Sequence, residues 1–188
     1  MKRRLRQKRK AAETRKKMNK EPRVIWFTGL SGAGKTTLAE KLAVYLKNSG
    51  VKCELLDGDT VRNIFPQTGF TKKDRDEHVK RMGFLASMLE RNGITVIASF
   101  ISPYRESRDF VRKMCRNFVE VYVSTSLEVC EKRDVKGLYK KARRGEITSF
   151  TGIDDPYEAP LHPEITINTA EETVEESLEK VTGYLDAV

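Results

Sequence analysis

Short runs of β-branched and aromatic residues alternate with longer helical segments along most of the chain. The apolar runs are continuous, as is typical of strands buried on both faces of a sheet, and they lie at 24–28, 51–56, 94–100, 118–123 and 164–169. Helical patterns separate them, among them Lys35 to Asn48 and a closing helix with Val174 and Leu178 on one face. Strands joined through helices favour right-handed crossovers. The pattern predicts an α/β fold with a mainly parallel sheet of about five strands and helices on both faces.

Two irregular stretches interrupt this alternation and are rich in glycine and proline, at 57–71 and 134–163. Segments of this length between regular elements are usually functional loops. Both follow the ends of predicted elements at the edge of the sheet where ligands bind, and the second is predicted to be a lid over about 134–163.

The basic charge lies almost entirely at the beginning of the chain. The 188 residues carry a net charge of +9, and residues 1–23 contain 12 of the 36 Lys and Arg but only two acidic residues. The remainder is nearly balanced, so the charge is no argument that this remainder binds nucleic acid. We predict a solvated basic arm at 1–22 and one domain at 23–188. Contact of the arm with RNA or an anionic surface stays open.

Other compositional features point to a soluble protein of a reducing compartment. The longest apolar run, Ile94 to Ile101, is too short and too polar to span a bilayer. Cys53, Cys115 and Cys130 are odd in number and lack the spacing of a zinc site or a disulfide framework. Reduced thiols and a cytoplasmic location are therefore expected.

The stretch Gly29–Thr36 carries the clearest chemistry. It reads G-L-S-G-A-G-K-T, which matches the phosphate-binding P-loop, and it stands between a predicted strand and a predicted helix. Glycines let backbone N–H groups turn toward phosphate oxygens at the helix N-terminus. Lys35 is predicted to reach the β- and γ-phosphates and Thr36 to bind Mg²⁺. The sequence thus predicts a P-loop NTPase-type fold that binds ATP and Mg²⁺.

The residues after the second and third strands favour a kinase among P-loop proteins. A guanine-reading Asn-Lys-x-Asp is absent after the P-loop, and the third strand ends in Ser102-Pro103 instead of the acid typical of motor ATPases. Acids follow the second strand instead, as Asp57-Gly58-Asp59. One carboxylate can organise the water around the metal while Asp59 meets an acceptor hydroxyl. The alternative is a simple Asp-Gly turn.

Cationic and aromatic residues in and near the two irregular stretches indicate the kind of acceptor. Arg62, Arg75, Lys80 and Arg81 follow one another closely, and Phe70 and Phe150 lie in polar loops. Guanidinium groups bind phosphate or sulfate oxygens, and two aromatic rings can enclose a purine. An anionic acceptor that carries a base is predicted, although each charge taken alone is typical of a solvated helix face.

From about Val24 to Tyr184 the chain resembles the adenylylsulfate kinase (APS kinase) family. The resemblance rests on GLSGAGKTT, LLDGDTVR, GFTKKDRDEHVKR, FISPYRESR, CEKRDVKGLYKKARRGEI and FTGIDDPYEAP. It implies a phosphotransferase that uses MgATP to phosphorylate the 3′-hydroxyl of adenosine 5′-phosphosulfate (APS). The product would be 3′-phosphoadenosine 5′-phosphosulfate (PAPS), for sulfate assimilation or sulfation. A homodimer is expected, with ATP sulfurylase as a candidate partner.

The resemblance also implies roles for individual residues. The implied catalytic residues are Lys35, Asp59 and Lys136, and the implied metal ligands are Thr36 and Asp57. The nucleotide would be held by Gly29, Gly32, Ala33, Gly34, Lys35, Thr36, Thr37 and Arg133. The acceptor would be held by Asp59, Arg62, Phe70, Arg75, His78, Ile101, Lys136 and Phe150. Ser102 has the position associated in the family with a phosphoserine form, but direct transfer explains the residues without it.

One position departs from the family pattern. His78 stands where the family usually has an Asn that would contact the acceptor. A histidine can still donate one hydrogen bond, and its charge would favour an anionic acceptor at lower pH. The alternative is a histidine on the helix surface without any contact.

Two other functions stay open from the sequence. Another P-loop kinase, acting on a small molecule or a nucleotide, is compatible with the P-loop and the acid pair. A nucleotide-dependent RNA-binding protein could instead use the basic arm, in which case binding would depend strongly on salt.

Overall fold

A single parallel sheet organises the molecule. The computed structural model describes residues 21–64 and 69–188, so nearly all of the predicted basic arm lies outside the described residues. The strands are β1 (Val24–Thr28), β2 (Cys53–Asp57), β3 (Thr95–Ser99), β4 (Phe118–Val123) and β5 (Ile165–Ile167), in the order β2-β3-β1-β4-β5. All neighbouring strands run parallel. The predicted fold class is confirmed.

Seven helices lie between or after the strands in the described residues, and two short ones, at 58–64 and 138–143, fall within the stretches predicted to be irregular. They are α1 (Lys35–Asn48), α2 (Gly58–Ile64), α3 (Lys72–Arg91), α4 (Arg105–Met114), α5 (Leu127–Arg133), α6 (Leu138–Arg143) and α7 (Val174–Ala187). Two of them begin at a capping box, in which a Thr hydroxyl and an acidic side chain satisfy each other's backbone N–H. These boxes, Thr71 with Asp74 and Thr173 with Glu176, fix where α3 and α7 begin.

The core consists of two apolar layers, one on each face of the sheet. Strand β1 alternates between them: Ile25 and Phe27 face the layer of α1 and α7, while Val24 and Trp26 face the layer of α3 and α4. All four side chains are completely buried. This two-sided burial explains why the strands are continuously hydrophobic instead of alternating.

A buried ion pair ties α4 to the sheet, and the same arginine also binds the later part of the predicted lid. Arg108 Nε lies 2.8 Å from Glu120 Oε1, and the same guanidinium donates to the carbonyls of Ser102 and Glu158 at 2.6 and 2.7 Å. Full hydrogen bonding of this kind is what makes a buried charge tolerable. It holds the chain around Glu158 against the carboxyl ends of the strands, beside the site described next.

Among the described residues, no helix has both the length and the apolar content that crossing a membrane requires.

Candidate functional site

The carboxyl ends of β1, β2 and β3 open into a cavity of about 530 Å³. Most of the residues predicted for nucleotide, metal and acceptor line this one cavity: Gly32, Gly34, Lys35, Thr36, Thr37, Asp57, Asp59, Arg62, Phe70, Arg75, His78, Ile101, Lys136 and Phe150. Gly29, Ala33 and Arg133 are not part of its wall. A single cleft therefore joins the P-loop to the set of residues predicted to bind the acceptor.

The start of the P-loop requires glycine for a steric reason. Gly29 has φ of +151°, and a Cβ there would lie 2.5 Å from the carbonyl oxygen of Val123 at the end of β4. No side chain fits that gap. Gly29 thus lets the start of the loop pack against the end of β4, and only later residues of the loop line the cavity.

Lys35 is nearly buried at the floor of the cavity. Its Nζ donates a hydrogen bond to the carbonyl of Leu30 at 2.7 Å. The pKa of Lys35 is lowered to about 8, mainly by burial and in smaller part by the charge of Lys136, while Cys130 and Asp59 oppose the shift. An ammonium group in such a place is stabilised by any anion that enters the cavity.

Thr36 and Asp57 present two oxygen atoms side by side. Thr36 Oγ1 donates to Asp57 Oδ2 at 3.1 Å, while Asp57 Oδ1 accepts from the backbone N–H groups of Asp59 and Thr60 at 3.1 and 3.2 Å. Hydroxyl and carboxylate oxygens suit Mg²⁺, which takes few protein ligands and completes its shell with phosphate and water. Within 21–64 and 69–188, no cluster of three His, Cys, Asp or Glu side chains competes for a metal. The two residues fit the predicted magnesium site.

Asp59 and Lys136 form an ion pair across the cavity. The Nζ of Lys136 donates to Oδ2 of Asp59, and both side chains are more than half exposed. Asp59 lies in the first turn of α2, whereas Lys136 precedes α6 in the predicted lid. The pair brings together two residues predicted to be catalytic.

The two aromatic side chains of the cavity differ in how far the protein packs against them. Phe70 is 61% exposed, and the guanidinium of Arg62 lies 4.7 Å from its ring centroid. Burial lowers the pKa of Arg62, and the neighbouring Arg75 lowers it as well. Phe150 packs edge-on against Tyr139 at 5.0 Å and rests on the core. One ring is therefore fixed and the other stands open to solvent.

Arg75 anchors the loop that carries Phe150. Its guanidinium donates to the Thr151 hydroxyl and the Ser149 carbonyl, and it pairs with the Asp155 carboxylate at 2.7 Å. These contacts join α3 to the predicted lid across a large separation in sequence, which no local pattern reveals. Contact of Arg75 with the acceptor stays a prediction.

His78 is buried, only 4% exposed, and not on the helix surface. Its ring lies 5.8 Å from that of Phe100, and its Nε2 is buried without a hydrogen-bond partner. Burial lowers the pKa of His78 to about 4, and the charges of Arg62 and Arg81 contribute. At mildly acidic pH the imidazole is therefore neutral. The expectation that a charged His78 would favour an anionic acceptor under those conditions is wrong.

Ser102 has no free hydroxyl for a phosphoserine step. It is buried, its Oγ accepts from Trp26 Nε1 at 3.0 Å, and it donates to Thr28 Oγ1 at 3.0 Å. These contacts support direct transfer.

Sequence reasoning missed Thr169, which contacts both the P-loop and the predicted nucleotide-binding residue Arg133 from outside the cavity. Thr169 donates from its Oγ1 to the Ala33 carbonyl at 2.8 Å, and Arg133 donates to the hydroxyl and the carbonyl of Thr169 at 2.8 Å each. Thr169 follows β5 directly, so its place at the carboxyl edge of a parallel sheet was the available signal.

Comparison with known proteins identifies related chains. The family model described as adenylylsulphate kinase matches residues 21–168. An adenylyl-sulfate kinase of Picosynechococcus sp. is 58% identical over 162 residues, covering 86% of this chain and 92% of that protein. One of Rippkaea orientalis is 58% identical over 170 residues, covering 90% and 94%. The structure of the Mycobacterium tuberculosis APS kinase in complex with AMPPNP and APS matches with a TM-score of 0.84 at 38% identity, covering 88% of this chain and 98% of that one.

The lowered pKa of Lys35 predicts how nucleotide affinity depends on pH. An anionic diphosphate favours the charged amine, so ADP affinity should fall as pH rises above about 8, by up to tenfold per pH unit. Calorimetric ADP titrations in buffers of different ionisation enthalpy should show proton uptake there. Lys35→Arg, whose guanidinium stays charged, is the matched control and should lose this dependence. An equal fall in both proteins would contradict the assignment to Lys35.

Proposed function

The chain belongs to the adenylylsulphate kinase family, and on that premise we propose that it transfers the γ-phosphoryl group of ATP to the 3′-hydroxyl of APS. The observation that carries this proposal is the shared cavity, in which the P-loop faces a cationic and aromatic set suited to an anionic nucleotide. The reaction yields ADP and PAPS, which serves sulfate assimilation. We place it in the cytoplasm and assign it to the domain at 23–188.

On the donor side, the P-loop and Lys35 hold the phosphates of ATP. The ammonium group of Lys35 exchanges its bond to the Leu30 carbonyl for a phosphate oxygen. Thr36 and Asp57 hold Mg²⁺, which neutralises charge on the transferring phosphoryl group when it is bound. Catalysis then depends on position and electrostatics more than on covalent chemistry.

On the acceptor side, Asp59 receives the proton of the 3′-hydroxyl. As that oxygen bonds to the γ-phosphorus, the bond from phosphorus to the β,γ-bridging oxygen breaks and ADP leaves. Lys136 pairs with Oδ2 of Asp59, so its charge lies beside the group that meets the hydroxyl and is close enough to serve the phosphoryl oxygens as well. Closure of the segment that carries Lys136 also excludes water, which would otherwise hydrolyse ATP.

The rest of the acceptor is held by groups of complementary chemistry. Phe70 and Phe150 provide two aromatic faces for the adenine, and Ile101 lines the same wall. The guanidinium of Arg62 supplies charge for the phosphosulfate. His78 contributes a neutral polar atom, the buried Nε2, which a ligand group can satisfy.

The first test is acceptor-dependent ADP release. With MgATP, APS should support rapid release, while AMP, GMP and gluconate should not, and Lys35→Ala serves as the blank. The acceptor panel separates this function from that of another P-loop kinase. Release that is confined to gluconate or to GMP would reject APS as the substrate. ATP binding without turnover on any acceptor would favour the nucleotide-dependent binding protein instead.

Asp59→Asn should lower kcat by about 10² to 10⁴-fold, the range typical of a lost general base. The KM for ATP should change little, because Thr36 and Asp57 stay intact. Asp109→Asn, the same chemical change on the exposed surface of α4, is the control and should leave both constants unaltered. Steady-state kinetics with each substrate varied in turn measure the difference. A parallel loss in ATP affinity and turnover would count against the role of Asp59.

His78 should act as a neutral group in acceptor binding. Since its pKa is about 4, the KM for APS should not improve through His78 between about pH 8 and about pH 6. His78→Leu should raise that KM by up to about tenfold through one lost hydrogen bond, with the KM for ATP unaltered. His78→Asn, which keeps a polar donor and acceptor, is the control and should retain most of the affinity. A gain in APS affinity near pH 6 that His78→Asn abolishes would disprove neutral binding.

A further inference from the structure

Three successive carbonyl groups of the P-loop are held by side chains that lie outside it. The Ser31 carbonyl accepts from the Tyr139 hydroxyl at 2.9 Å, and the Gly32 carbonyl accepts from Arg133 Nη1 at 3.3 Å. The Ala33 carbonyl accepts from Thr169 Oγ1 at 2.8 Å, and Thr125 Oγ1 makes a longer contact with it at 3.4 Å. The closer donors come from α6, from the end of α5 and from the turn after β5.

A held carbonyl fixes the amide on the other side of the same peptide. Because peptide bonds are planar and trans, the C=O of one residue and the N–H of the next point in opposite directions. Among the described residues no peptide bond is cis. The contacts on Ser31 and Ala33 therefore orient the N–H groups of Gly32 and Gly34, both of which line the cavity.

Among these donors, Thr169 has a hydroxyl group whose whole hydrogen-bonding capacity is used. Its hydroxyl donates to Ala33, lies 2.8 Å from the hydroxyl of Thr125, and accepts from Arg133 Nη1 at 2.8 Å. The single hydroxyl proton and both lone pairs are thus engaged. Its methyl group also approaches Gly34, where an added Cβ would lie 3.2 Å from Thr169 Cγ2.

We propose that Thr169 is a positioning residue for phosphoryl transfer, which turns the Gly34 amide toward the nucleotide phosphates by holding the Ala33 carbonyl. It touches neither substrate and acts through the P-loop backbone. An amide that is oriented before binding costs no reorganisation when the phosphate arrives. The inference rests on the proposed function only in that the bound nucleotide is ATP or ADP.

The test replaces the hydroxyl while keeping the shape of the side chain. Thr169→Val should weaken ADP binding and raise the KM for ATP by up to about tenfold, the effect of one lost hydrogen bond, with the KM for APS unaltered. Thr169→Ser keeps the hydroxyl and should restore the affinity. If Thr169→Val does not fold, Thr169→Ala replaces it.

The matched control is Ser124→Ala. Ser124 Oγ donates to the Ile167 carbonyl at 3.1 Å, so this variant removes a hydroxyl-to-carbonyl bond between the neighbouring ends of β4 and β5 without reaching the P-loop. It should leave ADP affinity unchanged even where it lowers the unfolding temperature. Calorimetric ADP binding requires no acceptor, so the result is independent of whether APS is the substrate. Unchanged ADP affinity in Thr169→Val, or an equal loss in Ser124→Ala, would overturn the proposal.

Discussion

Strand β1 is completely buried at the centre of the sheet, and the P-loop, which we propose binds the nucleotide, follows its carboxyl end directly. Its parallel neighbours β3 and β4 end at the same edge, so their following loops converge on the P-loop. Gly29 shows how tight this convergence is, since even a Cβ would collide with the end of β4. The rigidity of the phosphate site thus derives from the core beneath it, and not from the loop alone.

The cations of the cavity already hold protein oxygens. Lys35 bonds to the Leu30 carbonyl, Arg75 to the loop that carries Phe150, and Lys136 to Asp59. When a substrate anion binds, each cation exchanges a contact with a protein oxygen for a contact with the anion. The binding free energy therefore gains only the difference between these two contacts. The lowered pKa of Lys35 reflects how incompletely a neutral carbonyl compensates a buried charge. Phosphate is the better partner, which favours binding of the ligand over persistence of the internal contact.

Local sequence patterns were sufficient for the sheet, the P-loop and most of the cavity wall. Continuous hydrophobic runs indicate the strands, and a glycine-rich motif between a strand and a helix indicates the P-loop. Contacts between distant segments were not accessible in this way. His78 packs against Phe100, which directly follows β3, and the partners of Arg75 lie in the predicted lid. Such features arise from tertiary packing, which no period of hydrophobic residues encodes.

Tyr139 connects the two halves of the site. Its hydroxyl holds the Ser31 carbonyl of the P-loop, while its ring supports the edge of Phe150 on the acceptor side. Tyr139 is almost completely buried although it lies within the predicted lid, so its side chain belongs to the core beneath the site. The Phe150 ring and the Ser31 carbonyl therefore share one buried support. The same side chain positions the P-loop and one wall of the acceptor side.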